Sequence, residues 1–414
     1  MKGYEFYRSI GSPKFISAPM VDHSSLAWRL LVQLNGADLA YSEMLASKAI
    51  ISSPKKFQKK YVDWDIYTRH HENMLHGTAK KLSEIDPFTV DRPIIAQLQG
   101  NTLKDLIQAG KIIETTGVAA LDLNLGCPQK CAKKGSYGGY LLNNEYTREN
   151  KQNEPVLNIL KGLVNEMKVP ITVKIRKLDS DDDETIEFCQ QIEECGVSML
   201  TVHGRRVRNI NEQTGSADWE IIRKVKQHCS IPIIANGGIG RHSDVQQCLE
   251  YTKADGVMSS ECLLENPLGL FNTTSSNDAN PTSHSTNTNT NNTNNTNNTI
   301  RTSIQATYLE RQLQAAREYI QLEALYTDPT RGHGVFYTRN HICKILYRIL
   351  QGAKNKDLRG MIGGAKSSLE VYQLVDQLSD RIDMFTTHNP SYNLEMVMDA
   401  GLCGRVNWYD RHLR

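Results

Sequence analysis

The sequence predicts an α/β protein, a closed (β/α)8 TIM barrel followed by a small all-α helical domain. Three observations carry that reading. Eight short apolar, β-branched runs recur before residue 270, separated by helix-length segments. Unusual polar residues cluster at the C-terminal ends of those runs, which in such a barrel form one face. Beyond a polar tract, only helical patterns remain.

The runs are 15–20, 37–43, 93–98, 119–125, 171–176, 199–203, 232–236 and 256–260. Helix-compatible stretches lie between them, such as 102–116 and 184–195, the latter led by Asp and Ser residues suited to N-capping. Number and spacing match a barrel. A doubly wound open sheet is the weaker alternative, because no GxGxxG follows the first run. The barrel domain is placed at 10–270. Residues 272–299 are nearly all Asn, Thr and Ser, too polar to bury a core, and are expected to form a disordered linker. A helical domain is expected over 300–390 and a tail over 391–414. In its segment 336–351, Ile342, Ile345, Leu346 and Ile349 line one face, while His341, Lys344 and Arg348 line another.

Composition narrows the function. The chain has 414 residues, 39% of them hydrophobic, and a mean hydropathy of −0.47. It has no apolar run of membrane-spanning length, and its first residues lack a signal-peptide core. Nine cysteines without framework spacing point to reduced thiols, hence a cytoplasmic or nuclear protein. A monomer with no membrane partner is expected. The net charge is only +2, but residues 331–366 hold eight Lys and Arg against one acid. Further clusters at Lys55–Lys60, Lys130/Lys133/Lys134 and Arg205–Arg208 make a nucleic-acid partner plausible.

The strand ends suggest chemistry. Asn236-Gly237-Gly238 and the 256–260 run stand where βα barrels bind phosphate through backbone N–H groups. Lys174 lies in an otherwise apolar strand and needs an anionic partner, which a reduced flavin ring would supply. His203 can serve the same ring or the phosphate, and Gln97 offers an amide to a flavin's pyrimidine edge. Ala18-Pro19-Met20 would place backbone against the ring. Together these residues suit flavin mononucleotide (FMN). Cys127, in Gly126-Cys127-Pro128 at the end of the fourth run, has three readings: a general acid beside the flavin, a nucleophile, or an inert thiol. Its spacing to Cys131, with no nearby histidine, suits zinc poorly.

Asn124-Leu-Gly-Cys-Pro128 with Gly135-Ser-Tyr-Gly-Gly-Tyr-Leu141 closely resembles the signature of the tRNA-dihydrouridine synthases. The resemblance extends through Ala18-Pro19-Met20, Gln97-Leu-Gln-Gly100, Val173-Lys174-Ile-Arg176, Val202-His203-Gly-Arg205 and Ala235-Asn236-Gly-Gly-Ile239, covering about 10–270. Among the family's branches it looks most like the eukaryotic one acting at tRNA positions 16 and 17. The resemblance implies an FMN barrel that reduces the C5=C6 bond of a D-loop uridine with NADPH, Cys127 giving the proton to C5. It implies that Pro19, Met20, Val21, Gln97, Lys174, His203, Asn236, Gly237, Gly238, Ser260 and Glu261 surround the cofactor. Asn124 and Arg176 would face the substrate, with Lys344 and Arg348 on the tRNA backbone. Two departures stand out. The family often has Gly-Asp where this chain has Gly237-Gly238, and Gly-Arg where it has Ser260-Glu261. Glu261 is expected to point away from the phosphate. The competing readings are an FMN barrel acting on a free enone or pyrimidine, and a non-catalytic RNA-binding barrel.

Overall fold

Parallel pairing runs without a break around eight strands, so the sheet closes on itself. A computed structural model describes residues 1–63, 82–142, 154–207, 215–271, 293–327 and 334–388. The strands are β1 (Phe15–Ser17), β2 (Leu39–Ala46), β3 (Ile94–Gln99), β4 (Ala120–Leu125), β5 (Ile171–Lys177), β6 (Met199–Arg206), β7 (Ile233–Asn236) and β8 (Gly256–Ser259). All eight expected runs are strands, in order. β1 closes the barrel on β8, with Phe15 level with Val257 and Ser17 with Ser259. Covered on both faces, the strands read as continuous apolar runs rather than alternating ones. β4, for example, is buried along its whole length.

The barrel has one sealed and one open end. The helix Gly3–Ser9 brings Phe6 and Tyr7 under the strands, and they pack with Ile10, Ile16, Tyr41, Ile95, Met199 and Met258. Polar strand positions gather at the opposite end, where the register aligns them. Gln97 is level with Asp122, Asn124 with Lys174, Arg176 with His203, and His203 with Asn236.

β2 carries a local irregularity that matters for the site. Its register against β3 shifts between Tyr41 and Met44, so Ser42 and Glu43 together stand opposite Ala96, one residue more than the ladder needs. The Ser42 hydroxyl accepts the Gln97 N–H at 3.1 Å and donates to the Glu43 carbonyl at 2.8 Å. Such a bulge re-aims a side chain at the rim of a barrel.

The C-terminal region is helical, with helices Thr293–Tyr326, Gly334–Ile345, Tyr347–Gln351, Lys356–Gly364 and Ser368–His388. The first rests on the helix Leu26–Leu34. Its Tyr326 hydroxyl reaches the Leu82 and Ile85 carbonyls at 2.8 and 3.0 Å. No helix among the described residues is long and apolar enough to cross a membrane.

Three expectations change. Of the tract 272–299, residues 272–292 lie outside the described residues, but from Thr293 the chain is already helix. The tail 391–414 lies outside them as well. The expected single helix over 336–351 is two, broken at Leu346, whose φ of −92° and ψ of 14° leave the helical region. His341 is not on a cationic face. It is 0% exposed, with its ring stacked on Trp28 at 4.8 Å and tilted against Tyr319 at 4.4 Å. Reading polarity along one helix could not reveal aromatic neighbours supplied by two others.

Candidate active site

The turn after β4 is built by one side chain. Asn124 Oδ1 accepts the backbone N–H of Gly126 at 3.1 Å and of Cys127 at 2.9 Å, folding the chain back on itself. The Cys127 carbonyl then accepts the Gly139 N–H at 3.1 Å, which ties the Lys-rich segment to the same turn. Gly138 has φ +62°, and a Cβ there would stand 2.8 Å from the Cys127 Cβ, so a side chain is excluded at the thiol's shoulder. Cys127 remains partly exposed at the open end. Burial pushes its thiol above the usual range, while Arg176 and Lys174 pull the other way. The balance keeps the proton on sulfur at neutral pH, as a general acid requires.

Beneath the thiol runs a buried relay. Asn124 Nδ2 donates to Gln97 Oε1 at 2.8 Å, and Gln97 Nε2 donates to Asp122 Oδ2 at 2.8 Å. The other Asp122 oxygen accepts the Thr172 hydroxyl at 2.7 Å. Asp122 is 1% exposed, and burial pushes its carboxyl up to about 6 against the pull of these donors and of Lys174. The sequence reading missed this residue.

On the neighbouring strands stand Lys174, Arg176, His203 and Arg205. Lys174 Nζ donates to Asn236 Oδ1 at 2.7 Å, and Asn236 Nδ2 donates to the Met258 carbonyl at 2.8 Å. Burial and then Arg176 lower Lys174 to about 7, with Asp122 and Cys127 opposing. Asp122 acts on Lys174 only through its charge, since the Lys174 ammonium bonds to the neutral Asn236 amide. Burial and then Arg205 lower Arg176 to about 10. His203 is pushed well below its usual value by burial and by Arg176, Lys174 and Arg205, so it is neutral at pH 7. A mouth whose cations depress one another is suited to an anion.

Gly237 and Gly238 close the cationic side. Their φ values are +91° and +79°, in the left-handed region that favours glycine. A Cβ on Gly237 would lie 2.5 Å from the His203 ring, and one on Gly238 would lie 2.6 Å from Trp219 Nε1. Trp219 Nε1 donates to the Gly237 carbonyl at 2.9 Å, holding the turn from outside. Asp218 sets that indole in place by capping the helix Trp219–His228, accepting the Glu220 and Ile221 N–H groups at 3.0 and 3.1 Å.

After β1, the turn Pro19-Met20-Val21 reaches the same end. The Met20 N–H donates to Ser24 Oγ at 2.9 Å, and Val21 is 51% exposed. Ser260 precedes the short helix Glu261–Glu265. The Glu261 charge raises the Arg176 pKa against the burial that lowers it. Lys344 and Arg348 stand elsewhere, on the two helices flanking Leu346. The Arg348 guanidinium lies 5.8 Å from the Tyr308 ring centroid.

A sequence profile described as Dihydrouridine synthase (Dus) matches residues 16–328, the barrel and the start of the helical region. The chain belongs to the dihydrouridine synthase family. Among named relatives of this family is the tRNA-dihydrouridine(16/17) synthase [NAD(P)(+)] of Saccharomyces cerevisiae. It is 36% identical over 274 residues, 66% of this chain and 57% of that protein. The protein of that name from Schizosaccharomyces pombe is 36% identical over 269 residues, 64% and 59% of the two chains. A human tRNA-dihydrouridine(20a/20b) synthase-like protein is 31% identical over 255 residues, 61% and 69%. The matched segments thus span less than three fifths of the length of the two yeast dihydrouridine synthases. Among solved structures, a 2-naphthoyl-CoA reductase complex aligns over 61% of this chain and 46% of its own, with 14% identity and a TM-score of 0.41.

Proposed function

We propose that this member of the family reduces the C5=C6 bond of D-loop uridines in tRNA, at positions 16 and 17, using FMN and NADPH. The observation that carries the proposal is the Cys127 turn. A thiol kept protonated is fixed by Asn124 at the rim of a barrel end lined by Gln97, Lys174, Arg176 and His203.

The residues present fit FMN. The mouth has a glycine pair with no room for side chains, a neutral imidazole and several cations whose pKa values an anion would restore. Gly237, Gly238, Ser260 and His203 would hold the phosphate. Lys174, Asn236 and Gln97 would line the ring, and Pro19, Met20 and Val21 would wall it. Such a flavin, when bound, supplies hydride transfer between a nicotinamide and a substrate carbon.

The chain's own residues then have defined tasks. Cys127 holds a proton at Sγ and releases it to C5 of the uracil. Asn124 keeps the turn closed, and Arg176 stands on the substrate side of it. A uridine must leave its stack to reach this depth. The Lys130/Lys133/Lys134 segment, with Lys344 and Arg348, would hold the RNA backbone while it does so. The family's 16/17 branch supports the choice of positions, because the S. cerevisiae and S. pombe relatives bear that name.

A direct test offers the NADPH-supplied, flavin-loaded protein three substrates: unmodified tRNA, free uridine and small enones. The proposal expects D-loop uridines to gain two hydrogen masses, with negligible turnover of the small molecules. Turnover of the small molecules alone would make it a metabolite reductase, and a protein that takes up no flavin would be a binding module.

A further inference from the structure

The barrel and the helical region meet at a partly buried carboxylate that the site described above does not use. Because of the β2 bulge, Glu43 leaves the ladder and reaches across the rim. One of its oxygens accepts the Asp22 N–H at 3.1 Å, and the other accepts the Tyr337 hydroxyl at 2.7 Å. Asp22 follows directly on Pro19-Met20-Val21 and sits at φ +61°, a conformation uncommon for an L residue and dependent on its surroundings. Tyr337 is 3% exposed, on the helix Gly334–Ile345.

The next residue on that helix is tied the other way. The Thr338 hydroxyl donates to Glu323 Oε2 at 2.6 Å, and the same oxygen accepts the Ser368 hydroxyl at 2.7 Å. Glu323 belongs to the helix Thr293–Tyr326 and Ser368 opens Ser368–His388. Two consecutive residues thus join two carboxylates, a partly buried one in the barrel and a buried one in the helical bundle. One turn further along, His341 meets His23 of the same β1 turn edge-on, with ring centroids 5.0 Å apart. Burial, Asp22 and Asp63 push the Glu43 carboxyl up to about 7 against the pull of the Tyr337 hydroxyl and the Asp22 amide.

We infer that Glu43 is a positioning residue that fixes the Pro19–Asp22 turn to the helix Gly334–Ile345, so that RNA docking on the helical region sets the wall of the active site. The coupling to RNA rests on the function proposed above, whereas the link itself does not. Tyr337 is then felt at a turn it does not touch, through a carboxylate shared by both. No electron or proton transfer is involved, only the geometry of the turn.

Amide hydrogen exchange over 19–23 tests this without any turnover. Tyr337→Phe keeps the ring and removes one donor. It should speed exchange at Asp22 about threefold in the free protein, and Glu43→Ala should do so by roughly tenfold, the scale of one lost hydrogen bond. The double variant should exchange no faster than Glu43→Ala, because both changes cut the same link. Glu43→Gln should restore near-normal exchange, since its amide can still accept from Asp22 and face Tyr337. Unmodified tRNA should slow exchange at 19–23 in the unchanged protein, and less in Tyr337→Phe. An Asp22 amide indifferent to Tyr337→Phe, with and without tRNA, would overturn the inference. If the unchanged protein binds no tRNA, the functional reading fails instead, while the free-protein rates still decide the link.

Discussion

Gln97 donates from Nε2 to the Asp122 carboxylate at 2.8 Å, and that bond settles which way round its amide stands. Its Oε1 then faces Asn124, whose own Oδ1 is free to take the Cys127 N–H. A buried acid, 1% exposed, therefore orders the Cys127 turn from below.

Replacing Asp122 with Asn removes the charge and lets the Gln97 amide stand either way. The expected result is a folded protein whose flavin affinity falls roughly tenfold, the scale of one charge-assisted bond. Titration of the apoprotein with FMN, followed by fluorescence quenching, measures it. Affinity equal to the unchanged protein's would show that the amide is fixed by something else.

Gly237→Ala probes the phosphate side. The added methyl would stand 2.5 Å from the His203 ring at a φ of +91°, so either the ring or the turn must move. Flavin retained through purification should drop at least about tenfold. Gly360→Ala, where a Cβ meets nothing within 4 Å, should leave it unchanged and serves as the control.

Lys174 gives the site a pH dependence. Its pKa is lowered to about 7, so it carries a proton below that pH and loses it above. FMN binding should therefore weaken as pH rises through about 7, by roughly tenfold if the anion raises the lysine's pKa by about one unit. Lys174→Met should flatten that part of the profile, and comparing the two curves cancels the titration of the ligand's own phosphate. Two parallel curves would remove Lys174 from the anion site.

Lys344→Ala combined with Arg348→Ala should weaken tRNA binding and reduce the slope of log affinity against log salt by up to about 2, with flavin content unchanged. Filter binding at several salt concentrations reads the slope. An unaltered slope would place the RNA path elsewhere, for example over Lys130, Lys133 and Lys134.

The barrel was legible because buried parallel strands write themselves as apolar runs, and eight such runs survived helices of varied length. The mouth was legible where a polar residue interrupts a run, as Lys174 does. Asp122 obeys the same rule inside the run 119–125, where its polarity is masked by the thiol turn that ends the run. Glu43 and Tyr337 were out of reach for another reason, being 294 positions apart and joined by a bulge that no periodicity announces. His341 failed because its burial depends on Trp28 and Tyr319, which come from two other helices. Trp219 left a faint trace, in that Gly238 requires a close neighbour that only the fold identifies.

The proposed protonation of the uracil by Cys127 is tested by pre-reducing the flavin-loaded protein, mixing it with unmodified tRNA and following D-loop uridines by mass spectrometry, with Cys127→Ala in parallel. Loss of the thiol should slow formation of the reduced base by about 10²–10⁴-fold, the usual contribution of a positioned acid, with flavin content and tRNA affinity unchanged. Equal rates in the two proteins would exclude Cys127 as the acid and move the proton donor elsewhere in the mouth.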